Sequence, residues 1–449
     1  MKLTVVGAGG IRMPLFVRSL LRRVRRGAPV ETLGMTDIQP ERLAIMERLA
    51  RHLIDRAGAR IAVQADLELD RALAGADAVV LTIRPGFEEG RIADEAICRR
   101  RGVLGQETVG AGGFSMAARA IPQLVDICRR VQAVAPQATI LNFTNPSGIC
   151  TQALHDAGFD RTVGICDSAD NVKEYVAKSW DIPLDRIRSR VFGLNHLSAT
   201  TQVWVDGKDV TAQLMNDDAF IDKWFGIFGR DRVRRLGAFP NEYLYYYLMP
   251  AESLAATAAE KESRGQKVKR TTDRFFAGAA DPHVGGDPEK LLALHTACLD
   301  DRSASYMEYA WKETADGHRP NHQLAEGEGY AGVALDVIEG RWRGPAEMAL
   351  IYPNRGTVDW LACGDIVETT CRVDAHGVAP LPPPPISGAL AKIVRQVRIF
   401  ESLTAMSVRL RDASVARWAL ASHPLVGADL AGQLFADFAA AHAALRDYA

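Results

Sequence analysis

Residues 2–14 read KLTVVGAGGIRMP: a short apolar strand runs straight into glycines and then into the start of a helix. Gly7, Gly9 and Gly10 let the backbone approach a pyrophosphate, where the free N–H groups and dipole of the following helix favour an anion. The third glycine of the usual dinucleotide-binding turn is missing, because Arg12 stands in its place. Asp37 strengthens the reading. It closes the next strand, ETLGMTDI, in the region where an acidic side chain accepts from a ribose hydroxyl and favours NAD over NADP. Gly7, Gly9, Gly10 and Asp37 are therefore the expected cofactor contacts.

Outward from this turn, strand and helix signals alternate. MPLFVRSLLRRVRRG places Leu15, Leu20, Leu21 and Val24 at helical spacing. Its arginines (Arg18, Arg22, Arg23, Arg25 and Arg26) are the wet face of that helix, since no aromatics are interleaved as in a nucleic-acid patch. PERLAIMERLARHLIDRAG reads as a helix, RIAVQAD as a strand, and LDRALAGADAVVLTIRPG as a helix entering a buried strand. IPQLVDICRRVQAVAP is a helix and ATILNFTNPSG a strand. Such alternation predicts βαβ units in a doubly wound parallel sheet. After RTVGICDS the rhythm changes. VFGLNHLSATTQVWVDGKDVT predicts antiparallel strands with a D-G turn, DWLACGDIVETTCRV a further strand, and LPPPPI a break before one long helical pattern over residues 387–420. The simplest division is a nucleotide-binding domain over 1–165 and a larger α/β domain over 166–449.

Composition narrows the class. The chain has 449 residues, a formal net charge of −1 and 47% hydrophobic residues. That is the composition of a globular protein with no global attraction to nucleic acid or anionic lipid. No apolar run reaches the ~18–20 residues of a membrane span. The start becomes glycine-rich too soon for a secretory leader. Seven scattered cysteines do not make a disulfide framework. A cytoplasmic protein with free thiols is expected.

Several groups of residues have chemical potential. NFTNPSG (142–148) puts Asn142, Asn145 and Ser147 at the carboxyl end of a strand, where doubly wound sheets bind ligands, and Asn145–Pro146 is a candidate cis bond. GICDS ends a strand with Cys166 followed by Asp167, and thirty residues later GLNHLS presents Asn195 and His196. One Cys and one His fall short of a structural zinc site. They read either as two ligands of an open metal site or as a small buried thiol and a packed imidazole. GAFPNEYLYYYL carries Tyr243, Tyr245, Tyr246 and Tyr247, a packing stripe unless a cation favours one phenolate. RPGFEEGRIADE places Arg84 after a strand, with Arg91 and Glu95 on the next helix, as an anion clamp or a set of helix-face ion pairs.

Taken together, GQETVGAGGF, NFTNPSG, GICDS, GLNHLS…VDGKDVT, GAFPNEYLYYY and SHPLV resemble glycoside hydrolase family 4, the NAD-dependent glycosidases, and most nearly its 6-phospho-β-glucosidases. The resemblance runs from Met1 to the C-terminal helix. It implies a Rossmann domain followed by a larger α/β domain, akin to malate and lactate dehydrogenases, in a homodimer or homotetramer. It implies redox-assisted elimination: oxidation of a sugar or sugar-phosphate substrate at carbon 3, loss of the carbon 2 proton and then of the aglycone, water addition and re-reduction. NAD and a divalent metal, typically Mn²⁺, would be the cofactors. Cys166 and His196 would hold the metal and Tyr243 would be the carbon 2 base. Asn145 and Asn195 would contact sugar hydroxyls or the nicotinamide end, and Glu107 would line the same cleft.

Two departures bear on specificity. GIRMP replaces the hydroxyl-bearing residues that many phospho-glucosidases carry after the glycine loop, leaving Arg12 and Arg84 as the phosphate partners. Asp167 after the metal cysteine is more typical of α-acting members, where it serves as acid, whereas the tyrosine block leans towards β. An α-glycosidase or uronidase of the same family is thus one alternative. Another is an NAD-dependent 2-hydroxy-acid dehydrogenase on the same fold, which needs a catalytic His–Asp pair and no metal.

Overall fold

The computed structural model describes residues 1–311, 329–386 and 388–449. The alternating first third forms six parallel strands: β1 (Lys2–Val6), β2 (Thr32–Thr36), β3 (Ala62–Ala65), β4 (Ala78–Leu81), β5 (Thr139–Asn142) and β6 (Thr162–Gly164). They lie in the order β3-β2-β1-β4-β5-β6, that of a doubly wound dinucleotide fold, with the strand order reversing beside β1. β4 and β5 are buried along their whole length, as central strands covered on both faces must be.

The sheet continues beyond β6. β7 (Ile187–Leu194), β8 (Leu197–Val205), β9 (Lys208–Asp209), β10 (Phe239–Pro240), β11 (Ala346–Pro353), β12 (Ile366–Asp374) and β13 (Gly377–Pro380) are antiparallel. They extend it in the order β6-β11-β12-β7-β8-β10. The expected D-G turn joins β8 to β9, with left-handed φ values of +51° at Asp206 and +78° at Gly207. Gly164 pairs with Ile351, Ile351 with Glu368, and Glu368 with Gly193. This single row across four strands brings the turn after β7 to the level at which β6 ends.

Two apolar cores flank the sheet, one around Phe114, Phe192, Phe400 and Phe438, the other around Leu3, Phe16, Leu33 and Phe275. Each such side chain contributes roughly 1.5–3 kcal/mol when fully buried. Helix Met13–Arg25 buries Phe16, Val17, Leu20 and Leu21 and turns its arginines outward; Arg23 pairs with Asp336 at 2.7 Å and Glu339 at 2.9 Å.

Two helices differ from the sequence reading. The one expected from Ile121 begins at Gly110 and runs to Val134 through Pro122, because the small residues of its first half are buried against neighbours rather than ending the helix. The long C-terminal pattern, whose first residue 387 lies outside the described residues, is two helices, Gly388–Leu410 and Ala413–Ser422. Arg411 turns left-handed at φ +53°, and the Asp412 carboxylate accepts from Ser414 N and Val415 N as an N-cap. No described helix is long and apolar enough to cross a membrane.

Candidate active site

The carboxyl ends of β1, β4, β5 and β6 and the turn after β7 open into one cleft of about 1150 Å³. Its first wall is the glycine turn. Gly7 has φ +92°, and a Cβ there would lie 2.4 Å from the Thr82 carbonyl oxygen, so no other residue fits. Gly9 N donates to Asp37 Oδ2 at 2.8 Å, and Gln39 N donates to Oδ1 at 2.9 Å. Asp37 thereby ties the turn to the end of β2 and leaves the start of the next helix facing the cleft. After β5, Asn142 is fully buried and braces its own turn, accepting from Thr144 N and Ser147 Oγ. Asn145, joined to Pro146 by a cis bond, lines the cleft.

At the end of the four-strand row, Cys166 Sγ and His196 Nε2 stand 3.7 Å apart, both buried. His196 sits in the two-residue turn between β7 and β8 with a left-handed φ of +62°, a conformation that costs a non-glycine residue ~1–3 kcal/mol. Just before it, a Cβ on Gly193 would lie 2.2 Å from the Leu197 carbonyl oxygen, so the tight turn needs glycine there. Burial lowers His196 to about 4, which leaves a neutral imidazole suited to metal ligation. Burial also pushes the Cys166 thiol up, a shift that a bound cation would reverse. Among the described residues no set of three or more His, Cys, Asp or Glu is placed to hold a metal. A cation held by Cys166 Sγ and His196 Nε2 would have two protein ligands and its other positions open.

The Tyr243 ring stacks on His196, with centroids 3.9 Å apart and planes at 19°. Asn241 holds it there: its Oδ1 accepts from Tyr243 N at 2.9 Å, while its Nδ2 donates to Ser168 O at 2.8 Å beside Cys166. Burial, reinforced by the neighbouring Glu242 carboxylate, keeps the Tyr243 hydroxyl well above its ordinary 10. Tyr306, beside Tyr243, donates to Glu242 Oε1 at 2.7 Å.

Charged groups gather around this pair, with Asp167, Glu107 and Glu242 all acting on His196. Arg84 donates to Glu107 Oε2 at 2.5 Å, and Arg91 pairs with the same oxygen at 3.0 Å. Burial alone would raise Glu107, but these two guanidiniums outweigh it and hold the carboxyl well below the usual range. Asp167 Oδ2 accepts from Arg12 Nη2 at 2.9 Å, and the Arg12 guanidinium lies over the Tyr330 ring at 4.9 Å. Asn195 stands apart from the other expected residues. It is not among those lining the cleft, and its Nδ2 donates to Glu368 Oε1 at 3.0 Å behind the wall.

Residues 2–182 match the model of family 4 glycosyl hydrolases, and 191–426 match that family's C-terminal domain. The chain belongs to glycosyl hydrolase family 4. Within this family it is 27% identical to the "Probable 6-phospho-beta-glucosidase" of Bacillus subtilis (strain 168) over 99% of this chain and 97% of that protein. It is 28% identical to the 6-phospho-β-glucosidase of Escherichia coli (strain K12), over 85% and 81%. The solved 6-phospho-β-glucosidase of Thermotoga maritima, containing manganese, NAD⁺ and glucose-6-phosphate, superposes with a TM-score of 0.81 at 25% identity, covering 100% and 99% of the two chains. A malate dehydrogenase from Plasmodium falciparum shares the fold at a TM-score of 0.52, over 91% and 99%.

The family 4 cleft contains residues that the sequence alone did not single out. Arg264 and Arg302 come from two helices, Arg264–Ala280 and Pro288–Ala304, that carry no recognisable motif. Arg264 donates to Ser305 Oγ and to the Arg302 carbonyl, which locks the two turns together. Burial, then Arg264, Arg84 and Arg12, pull the Arg302 guanidinium well below its ordinary value. Glu242 lay inside a quoted motif, but nothing in its spacing gave it a role.

Proposed function

We propose that this family 4 glycosyl hydrolase cleaves β-linked 6-phosphoglucosides through oxidation at carbon 3 and elimination. The observation that carries the reading is Tyr243 stacked on His196, itself 3.7 Å from Cys166, in a cleft that begins at a dinucleotide-type glycine turn. Gly7, Gly9, Gly10 and Asp37 would hold NAD, with Asn145 at its reactive end, and Cys166 and His196 would hold a divalent metal, Mn²⁺. When bound, NAD supplies the hydride acceptor and donor, and the metal the Lewis acidity that makes the carbon 2 proton removable. Tyr243 takes that proton. Its hydroxyl is disfavoured from ionising by burial and Glu242, so the base works only with a cation beside it.

Arg264 and Arg302 support the phosphate reading. Four guanidiniums converge there, and Arg84 is already committed to Glu107; a dianion relieves that crowding through charge-assisted hydrogen bonds. Asp167 is engaged in this cleft as the ion-pair partner of Arg12, at 2.9 Å, and that structural role supports the β over the α reading. A dehydrogenase would pair its histidine with a carboxylate, whereas His196 Nδ1 faces Thr108 Oγ1 at 2.8 Å.

Functionally we divide the chain at residue 165, with the cofactor half before it and the metal, sugar and assembly half after it. A cytoplasmic location accords with seven free cysteines. Self-association as a homodimer or homotetramer is supported by Ile399, Met406, Leu410 and Trp418, exposed apolar side chains on two adjoining helices. A panel of 4-nitrophenyl α- and β-glucosides, with and without 6-phosphate, assayed with NAD⁺ and Mn²⁺, tests the assignment. Turnover confined to the unphosphorylated or α members would refute it.

A further inference from the structure

On the side of His196 away from Cys166, two side chains of the segment before helix Gly110–Val134 form a hydrogen-bond chain to its ring. The backbone N–H of Thr108 can only donate, and it lies 2.5 Å from the end of the Gln106 side chain. The atom it meets is therefore the carbonyl oxygen Oε1, not the amide nitrogen. Thr108 Oγ1 lies 2.8 Å from that same oxygen, which has no hydrogen to give, so the hydroxyl hydrogen goes to Gln106. With its one hydrogen spent, Oγ1 can only accept along its 2.8 Å contact with His196 Nδ1. The imidazole hydrogen thus sits on Nδ1. A neutral imidazole carries only one, so Nε2 is a bare lone pair, and it is Nε2 that faces Cys166 Sγ.

We infer that Thr108 and Gln106 are positioning residues that fix the tautomer and ring plane of His196 and so present its Nε2 lone pair for metal ligation. The inference rests on the reading of Cys166 and His196 as the metal ligands. A hydrogen-bond partner on the remote nitrogen selects the ligating tautomer; without it the ring also populates the form with hydrogen on Nε2, which cannot bind metal. The segment is rigid enough for this task, because the next-door Glu107 is clamped by Arg84 and Arg91.

The test uses full-length protein freed of metal, with Mn²⁺ alone as the probe. Nitrogen-15 spectra of histidine-labelled protein, with the His196 signals identified by their loss in His196→Ala, should show hydrogen on Nδ1. Thr108→Val should weaken Mn²⁺ binding, read by electron paramagnetic resonance titration, by roughly 10–100-fold and move hydrogen onto Nε2, with NAD⁺ affinity unchanged. Thr108→Ser should restore both readouts. Wild-type Mn²⁺ affinity in Thr108→Val, alongside loss in His196→Ala, would overturn the positioning role and leave the metal site standing. Wild-type affinity in both variants would overturn the metal reading and the inference with it. Should Thr108→Val fail to fold, the wild-type spectrum decides alone: hydrogen on Nε2 overturns the inference.

Discussion

Replacing Asp167 with asparagine separates two roles that differ by orders of magnitude. In the structure Asp167 is the partner of Arg12, at 2.9 Å, with both side chains about 30% exposed. Ion pairs of that accessibility contribute ~0.2–1 kcal/mol. Since ~1.4 kcal/mol is tenfold, Asp167→Asn acting only through Arg12 should lower kcat/KM by no more than about fivefold. A general acid is worth ~10²–10⁴-fold. The aglycone sharpens the contrast, because 4-nitrophenolate leaves without protonation whereas methoxide does not. Rates on methyl and 4-nitrophenyl β-glucoside 6-phosphates should fall together and modestly. A loss of a hundredfold or more on the methyl glycoside, with the nitrophenyl rate preserved, would show that Asp167 delivers the proton and would refute the ion-pair argument for β specificity.

Cys166→Ala and His196→Ala should each abolish Mn²⁺ binding by elemental analysis while the circular dichroism spectrum is retained; wild-type metal content in either would exclude that ligand. Arg302→Ala should raise KM for a 6-phosphoglucoside by roughly 10–100-fold, the ~1.5–3 kcal/mol of a hydrogen bond to a charged group, and leave the unphosphorylated glucoside unaffected. An equal rise for both sugars would place the phosphate elsewhere. Burial pushes the Glu368 and Glu401 carboxyls up to about 7 from an ordinary 4.5, so the unfolded chain gives up these protons at lower pH than the native chain. Native protein then holds the extra protons between about pH 4.5 and 7, and this contribution to stability is lost as pH rises through that window. Urea denaturation at the two ends of the window should show a smaller decline in Glu401→Gln than in wild type; an equal decline would contradict this.

What could be read from sequence followed the range of the signal. Strand–helix alternation up to Cys166 is local, so hydrophobic period and glycine punctuation were enough to give the parallel sheet. The meeting of Cys166 with His196 is not local. It depends on the row Gly164–Ile351–Glu368–Gly193, and Ile351 and Glu368 lie far along the chain; the residues alone left a shared metal site and separate packing open, and the family resemblance implied the former. Asn195 shows the limit of adjacency, because in a two-residue turn neighbouring side chains point apart, one to the cleft and one to Glu368. Arg264 and Arg302 look like ordinary helix-face arginines until two helices are packed together. Arg12 registered as a missing glycine and a phosphate partner, and its pairing with Asp167 could not be read from either residue. The break at Arg411–Asp412 was hidden because both helices continue the same apolar rhythm across it.

Whether Tyr243 removes the carbon 2 proton during turnover is decided by cleavage in heavy water. A 6-phosphoglucoside cleaved in D₂O with NAD⁺ and Mn²⁺ should give product carrying deuterium at carbon 2, with no net accumulation of NADH. Tyr243→Phe, which keeps the ring stacked on His196, should give almost no product. Product from the wild-type enzyme with hydrogen retained at carbon 2 would contradict the elimination mechanism outright.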